Sequence, residues 1–189
     1  MRSIITAMQV SLDGFIEGPG RDVSWVSTWE DPFDVTDEVD ACLLGAKMYP
    51  GYEQYWSTVL ANPTAELELT GRRPTPGEIA YADFAARTPH YVLSTTLDRA
   101  AWDNTHIMRS LDEVTELRRR PGKTIHAVGG AALVQSLLNL GLVDDVRLAI
   151  HPIVLGAGTP LFRDVERRRL RLQRSDTLPE GVVTLWYTT

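Results

Sequence analysis

The sequence has little cysteine, no excess of positive charge and no long apolar run, and each shortage excludes a class of protein. A single cysteine among 189 residues, Cys42, excludes an internal disulfide framework and is typical of a cytoplasmic protein. No window approaches 18 consecutive apolar residues, so no membrane span is expected, and the N-terminus enters a strand without a signal-peptide core. The net charge of -6 argues against a nucleic-acid partner bound by counterion release.

Ligand signatures are equally scarce. No G-x-G-x-x-G fingerprint occurs, so a dinucleotide would bind by an arrangement other than the Rossmann one. Two runs of three arginines, 118–120 and 167–169, are more simply interpreted as solvated surface or as charges at helix ends. No metal is expected, because the spacing of the histidines does not suit ligands: His90, His106, His126 and His151.

Length and composition predict an ordinary globular chain with one domain, residues 1–189. Hydrophobic residues make up 43% and charged residues 23%, outside the disordered and collagen-like ranges. Strand-like and helix-like segments alternate, which predicts a mostly parallel sheet covered on both faces, with an antiparallel hairpin at the C-terminus. The predicted strands are 2–8, 41–44, 91–94, 105–108, 125–128, 145–155 and a hairpin from 170–178 and 182–187.

The stretch from Lys123 to Leu138 carries the most informative pattern. Ile125–Val128 predicts a buried strand, Gly129 and Gly130 interrupt it, and a helix is predicted over 131–140. Such a turn leaves the first amide groups of the helix unpaired beside the positive end of its dipole, where a phosphate can bind. The alternative is a plain tight turn between strand and helix.

Turn and cap signals mark the remaining elements. Capping boxes at Thr75–Glu78 and Ser110–Glu113 predict two helix starts, and residues 59–77 predict an irregular excursion over the surface. Gly45, Ser94 and Gly129 all end predicted strands. Because ligands bind at the carboxyl ends of parallel strands, one pocket could collect these three positions.

Seven short motifs, in order, resemble the dihydrofolate reductase-like family, and most closely the reductase domain of bifunctional riboflavin-biosynthesis deaminase-reductases and their stand-alone relatives. The resemblance covers the chain except for residues 59–89. The motifs are Ser11–Ile16, Trp25 after the loop, Leu43–Gly45, Tyr91–Ser94, Val128–Gly130, Gly141–Asp144 and the long run Pro152–Phe162.

The resemblance implies a three-layer α/β fold, NADPH as hydride donor and often a homodimer. It implies a cis bond between Gly129 and Gly130, and a nicotinamide near Ala7, Met8 and the 13–20 loop. Two further groups of residues would bind the cofactor: Gly129, Gly130, Ala131, Ala132 and Leu133 at the pyrophosphate and ribose, and Ser94 and Thr95 near the 2′-phosphate.

The second turn departs from the family pattern. Relatives tend to carry Gly-Arg-(Arg/Lys)-Thr-Tyr where this chain has Gly45-Ala46-Lys47-Met48-Tyr49, so a guanidinium and a hydroxyl are missing. Loss of one charged hydrogen bond weakens binding by ~1.5–3 kcal/mol. Lys47 is the remaining cation, but an ammonium does not replace a guanidinium fork. The choice between NADPH and NADH therefore stays open.

Three functions compete at this point. The first is a reductase acting on a pteridine-like or ribosylaminopyrimidine-like molecule, with Met8, Asp13, Trp25 and His151 on the substrate side and Asp13 orienting the substrate or relaying a proton. The structural alternatives are an Asx turn for Asp13 and core positions for Trp25 and His151. The second function is a non-catalytic relative that binds a nucleotide or flat metabolite. The third, an assembly module without a small ligand, leaves the glycine turns unexplained.

Overall fold

Ten strands and five α-helices build the protein, and the computed structural model describes residues 1–189. The strands are β1 (Ile4–Ser11), β2 (Phe15–Glu17), β3 (Val39–Gly45), β4 (His90–Leu93), β5 (Thr105–Met108), β6 (Thr124–Gly129), β7 (Asp145–His151), β8 (Thr159–Pro160), β9 (Arg171–Thr177) and β10 (Val183–Thr188). The helices are α1 (Val35–Glu38), α2 (Tyr49–Ala61), α3 (Pro76–Arg87), α4 (Leu111–Arg119) and α5 (Ala131–Asn139).

One eight-stranded sheet joins these elements in the order β5-β4-β3-β6-β1-β7-β10-β9. The strands from β5 to β7 in that order are parallel, whereas β10 is antiparallel to both β7 and β9. The mostly parallel sheet and its C-terminal antiparallel hairpin are therefore confirmed. A separate two-stranded sheet pairs β2 with β8, so the loop after β1 is held against residues 159–160.

Helices cover both faces of the sheet because alternate residues of each strand point to opposite sides. We call the two resulting clusters the first core and the second core. The first core joins Ile5 and Ala7 of β1 to Tyr52, Trp56 and Tyr81 of α2 and α3. The second core joins Met8 and Val10 of β1 to Val114, Leu117, Leu133 and Leu137 of α4 and α5. The three-layer architecture follows directly from this alternation.

Three predicted boundaries differ from the structure. The first strand, predicted over 2–8, is Ile4–Ser11, because its pairing with β7 continues to Ser11 beside His151. The strand predicted over 145–155 ends at His151, because Pro152 has no amide hydrogen for the ladder and the amide of Ile153 turns back to the His151 carbonyl at 2.8 Å. Helix α2 continues to Ala61, inside the predicted irregular region, and stops where Pro63 disfavours a helical conformation for the preceding residue.

The excursion that follows α2 is tied to the body by one buried carboxylate. Glu78, which is fully buried, accepts hydrogen bonds from the Arg72 guanidinium at 2.7 and 2.9 Å and from the amides of Thr75 and Trp29, each at 2.9 Å. The predicted capping box is therefore formed, since the Glu78 amide also donates to Thr75 Oγ1 at 3.1 Å. Glu78 thus connects the start of α3 to two loops.

Cys42 lies in β3 as a buried, unpaired thiol, as its apolar surroundings predict, and burial raises its pKa. No set of three or more His, Cys, Asp and Glu side chains comes together in a way that could hold a metal ion. None of the helices combines the length and the apolar character needed to cross a membrane.

Candidate active site

Two glycine turns meet at the carboxyl ends of the neighbouring strands β3 and β6. A Cβ atom added at Gly45 would lie 3.5 Å from the amide nitrogen of Gly130 and 3.6 Å from Leu133 Cβ, so the two turns approach closely. Each turn leads into a helix, α2 after Gly45 and α5 after Gly130. The structure therefore brings Gly45 and Gly129 together, with the end of β4 before Ser94 paired beside Gly45, and two helices begin near this corner.

The start of α5 offers bare amide groups at this corner. No side chain caps the helix, and the amides of Gly130, Ala131 and Ala132 donate no hydrogen bond, whereas the Leu133 amide donates to the Gly130 carbonyl at 3.1 Å. A Cβ atom at Gly130 would meet no atom within 4 Å. Open space, unpaired amides and the positive end of a helix dipole are together the features that an anion site requires.

Gly129 has a different role, because it is covered by two methionines. Its φ of 134° is a conformation that side-chain-bearing residues rarely adopt, and an added Cβ would lie 3.0 Å from Met48 Sδ and 3.1 Å from Met8 Cε. The peptide bond from Gly129 to Gly130 is cis, as the resemblance implies. The corner is therefore open at Gly130 and covered by methionine side chains at Gly129.

Two cations stand at this edge without a carboxylate partner. Lys47, in the turn before α2, is exposed and forms no ion pair. Arg109 directly follows β5, is exposed and donates from Nη1 to the Ser94 carbonyl at 2.9 Å. Sequence reasoning missed Arg109, although its place after a predicted strand, next to the one that ends at Ser94, was an available signal.

Ser94 shapes the turn in which the predicted 2′-phosphate residues lie. Its buried Oγ accepts hydrogen bonds from the amides of Thr96 and Leu97 at 3.2 and 2.9 Å, and Thr95, which directly follows Ser94, is exposed. Gly45, Leu93 and Met108 are aligned across β3, β4 and β5. Arg109 therefore lies two strand spacings from Ala46, about 10 Å along the same edge.

A cleft of about 140 Å³ opens at the carboxyl end of β7, lined by Trp25, His151 and Glu180 among others. The rings of Trp25 and His151 are nearly perpendicular, with centroids 5.2 Å apart and planes at 83°. Trp25 is partly exposed, and its Nε1 donates to the Asp22 carbonyl at 3.1 Å, so it lies outside both cores. Trp25 and His151, two of the predicted substrate residues, thus share one cleft.

Asp13, the predicted catalytic residue, holds two loops together. Its carboxylate accepts hydrogen bonds from Ser11 Oγ at 2.7 Å and from the amides of Leu155 and Gly156 at 3.1 and 2.8 Å. The Ser11 hydroxyl, followed by those amides, lowers the pKa of Asp13, so the group is ionised near neutral pH. A proton relay needs a raised pKa instead. The geometry therefore favours the turn interpretation over proton donation.

Ala7 and Met8, both predicted near the nicotinamide, lie on opposite faces of β1. Ala7 belongs to the first core, whose face also carries Gln9, and Met8 belongs to the second core and contacts the Gly129 corner. Met8 does not line the Trp25–His151 cleft. The alternation along β1 therefore separates Met8 from the other predicted substrate residues.

Comparison with known proteins agrees with this geometry. Residues 2–184 match the family model of the RibD C-terminal domain. Protein YyaP of Bacillus subtilis (strain 168), described as uncharacterized, is 37% identical over 193 residues, which cover 98% of this chain and 94% of that protein.

Two solved structures share the fold. A putative riboflavin biosynthesis protein from Shewanella sp. PV-4 aligns with a TM-score of 0.69 at 18% identity, covering 100% of this chain and 98% of that one. Dihydrofolate reductase from Enterococcus faecalis, complexed with NADP(H), aligns with a TM-score of 0.62 at 14% identity, covering 98% and 95%. Since the family model spans nearly the whole sequence and these neighbours share its layered sheet, the chain belongs to the RibD C-terminal domain family.

Proposed function

We propose that the protein is an NADPH-dependent reductase that transfers a hydride to a pteridine-like or ribosylaminopyrimidine-like small molecule. The observation that carries the proposal is the corner at Gly130, where three amides at the start of α5 donate no hydrogen bond and a side chain at Gly130 would meet no atom within 4 Å. The structural neighbours named as a riboflavin biosynthesis protein and as a dihydrofolate reductase with NADP(H) support the same reaction class.

The residues at the corner suit a dinucleotide. The amides of Gly130, Ala131 and Ala132 would bind the diphosphate, and Ser94, Thr95 and Arg109 line the neighbouring strand end where an adenosine phosphate would lie. Lys47 adds a second unpaired cation. When bound, the cofactor supplies the hydride, and the protein supplies position and exclusion of water.

The Trp25–His151 cleft is our proposed substrate side. It lies at the end of β7, separated from β6 and Gly129 by the single strand β1, so the two sites are about 10 Å apart. Trp25 contributes an aromatic ring, and His151 and Glu180 contribute polar groups. This combination orients a flat ring that carries polar substituents.

Arg109 is expected to set the preference for NADPH. The family's arginine in the second turn is Ala46 here, and the Arg109 guanidinium is the cation next to Ser94. Replacing it in Arg109→Met removes a charge-assisted contact with the 2′-phosphate, so the Kd for NADPH should rise roughly 10- to 100-fold while the Kd for NADH stays unchanged.

Arg120→Met is the matched control for this measurement. It removes the same charge from an exposed residue that follows the C-terminal end of α4, whereas Arg109 precedes the N-terminal end of that helix. Fluorescence titration of both nucleotides against both variants gives the comparison. An equal rise in the Kd for NADPH in the two variants would mean that Arg109 acts only through the net charge of the protein.

A non-catalytic relative that binds a flat metabolite is the second candidate. It is favoured by the second turn, where Ala46 and Met48 replace the expected arginine and threonine and the Met48 sulfur covers Gly129. Titration of the wild-type protein with NADPH and NADH separates the two functions. Micromolar binding of NADPH supports the reductase, and absence of binding by both nucleotides supports the alternative.

A homodimer, which the resemblance implies, stays a prediction. The edge strand β9 leaves nearly all of its residues exposed, so this side of the sheet is free to contact another copy. Sedimentation equilibrium gives the molecular mass, and a monomer at micromolar concentration contradicts the prediction.

A further inference from the structure

Three histidines are buried, and they differ in what their ring nitrogens can reach. His90 and His126 each carry an Nδ1 atom that is sealed in the protein without a hydrogen-bond partner, and burial lowers the pKa of each to about 4. His151 is also buried, yet its Nδ1 is not among the sealed atoms and its ring lines the cleft beside Trp25. His151 is therefore the buried histidine with a nitrogen available to a ligand.

The orientation of Gln9 determines which nitrogen that is. The Gln9 side-chain amide donates from Nε2 to the Thr28 carbonyl at 2.9 Å, and a carbonyl oxygen can only accept. Gln9 Oε1 therefore points away from Thr28, and it lies 2.6 Å from His151 Nε2. Because Oε1 is also only an acceptor, the hydrogen in this contact belongs to His151 Nε2.

The other ring nitrogen is consequently an acceptor. Desolvation lowers the pKa of His151, against a smaller opposing effect of Glu180, so the ring is neutral near neutral pH. A neutral ring with its hydrogen on Nε2 has a bare lone pair on Nδ1. No group of the protein donates to Nδ1, which leaves this lone pair to whatever occupies the cleft.

The remaining wall of the cleft also accepts hydrogen bonds. Glu180, in the turn between β9 and β10, contributes a carboxylate that forms no ion pair, and Trp25 contributes an aromatic ring. The volume of about 140 Å³ suits one six-membered ring, since a cavity of about 150 Å³ in another protein holds benzene. The cleft therefore offers hydrogen-bond acceptors to the donors of a ligand, and it has room for a single ring.

We propose that His151 Nδ1, kept in the accepting state by the positioning residue Gln9, selects a flat ring whose edge carries N–H donors, with the Glu180 carboxylate as the second acceptor. The inference rests on the proposed function only for the assignment of this cleft to the substrate. Hydrogen-bond acceptors discriminate strongly against a ligand that lacks the matching donor, because they are then left unpaired in the complex.

The tautomer is measured first, without any ligand or cofactor. Long-range ¹H–¹⁵N NMR of histidine-labelled protein reports which nitrogen carries the hydrogen. We expect His151 as the Nε2–H form in the wild type and a mixture of forms in Gln9→Leu, which removes the oxygen that fixes the ring. A wild-type ring protonated on Nδ1 would overturn the proposal, whatever the variants do.

Ligand selection is measured with two probes of the same shape. 2,4-Diaminopyrimidine carries two N–H donors, and 2,4-dimethylpyrimidine replaces them with methyl groups. Binding is measured by Trp fluorescence or by NMR. We expect the wild type to bind the diamino probe roughly 10-fold more tightly than the dimethyl probe, and we expect His151→Phe to abolish this preference. His106→Phe, at an exposed position on the edge strand β5, is the control that should keep it.

The two proposals fail in distinguishable ways. Both probe titrations are done without nucleotide, so equal affinity of the two probes for the wild type would overturn the acceptor role and leave NADPH binding untouched. Conversely, a wild type that binds neither NADPH nor NADH and still prefers the diamino probe would support the acceptor role of His151 and contradict the reductase assignment.

Discussion

Ala132→Glu is expected to weaken NADPH binding by roughly 30- to 150-fold without unfolding the protein. Ala132 is exposed in the first turn of α5, and its amide is one of the three that would bind the diphosphate. A carboxylate about 6–8 Å from a phosphate repels it by about 2–3 kcal/mol at an effective dielectric constant near 20. The nucleotide titration that tests the reductase proposal also measures this change.

The same substitution should leave the fold as stable or slightly more stable. An acidic residue in the first turn of a helix interacts favourably with the dipole, by typically 0.3–1 kcal/mol. A loss of NADPH affinity without a loss of unfolding free energy distinguishes a binding site from a merely structural turn. Urea unfolding of the variant is therefore measured together with the titration. Ala132→Gln, with nearly the same shape and no charge, is the control and should bind NADPH close to the wild-type level.

An Ala132→Glu variant that binds NADPH as tightly as the wild type would contradict the assignment of the diphosphate to α5. The nucleotide, if it binds, would then lie elsewhere along the sheet edge, for example over the turn at Lys47.

Local patterns in the sequence predicted most of the fold. The buried strand, paired glycines and helix around Gly129 are contiguous in the chain, and so is the capping box at Thr75 and Glu78. Each pattern depends on backbone preferences and hydrogen bonds within a few residues. Such signals locate the elements and the strand ends, and therefore the edge at which the candidate site lies.

Contacts between residues far apart in the chain were not predicted from the sequence. Asp13 binds amides at Leu155 and Gly156, and Gln9 binds His151, across separations of 142 or 143 residues. These partners meet because β1 pairs with β7 in one particular register, Ser11 beside His151. A single sequence contains no measure of that register.

Two predicted site residues have contacts that depend on the direction in which the chain points them. The family resemblance implies that Met8 and Asp13 lie near the nicotinamide and the substrate. The strand's alternation turns Met8 into the second core, and the turn after β1 directs the Asp13 carboxylate to a neighbouring loop. Arg109 was missed for the related reason that its neighbour Ser94 lies 15 residues earlier, on a parallel strand.

Glu78→Gln is expected to destabilise the protein by about 2–4 kcal/mol, the largest effect on stability that we predict. The buried Glu78 carboxylate accepts from Arg72 and from the amides of Thr75 and Trp29, and an uncharged amide replaces one acceptor oxygen with a donor. Breaking a buried ion pair typically costs 3–5 kcal/mol, and the estimate is lower here because about a third of the Arg72 side chain is exposed. In a chain of this length the Tm should fall by roughly 5–15 °C.

The pH dependence of the same variant gives an independent check. Desolvation raises the pKa of Glu78, but the hydrogen bonds from Arg72, Trp29 and Thr75 outweigh it, so the pKa is lowered in the folded protein. A lowered folded pKa contributes stability above the unfolded pKa, about 4.3, and this contribution disappears as the pH falls through the folded value. The difference in unfolding free energy between wild type and Glu78→Gln should therefore be constant near neutral pH and shrink below about pH 4.

Glu116→Gln is the matched control, because Glu116 pairs with Arg119 on the surface of α4, where both side chains are mostly exposed. Surface pairs of this kind contribute about 0–1 kcal/mol, so the control should change the unfolding free energy little at any pH. Equal effects of the two substitutions would mean that Glu78 contributes no more than a surface charge. The segment 62–75 would then be held by its apolar contacts, such as the buried Leu67, and not by the ion pair with Arg72.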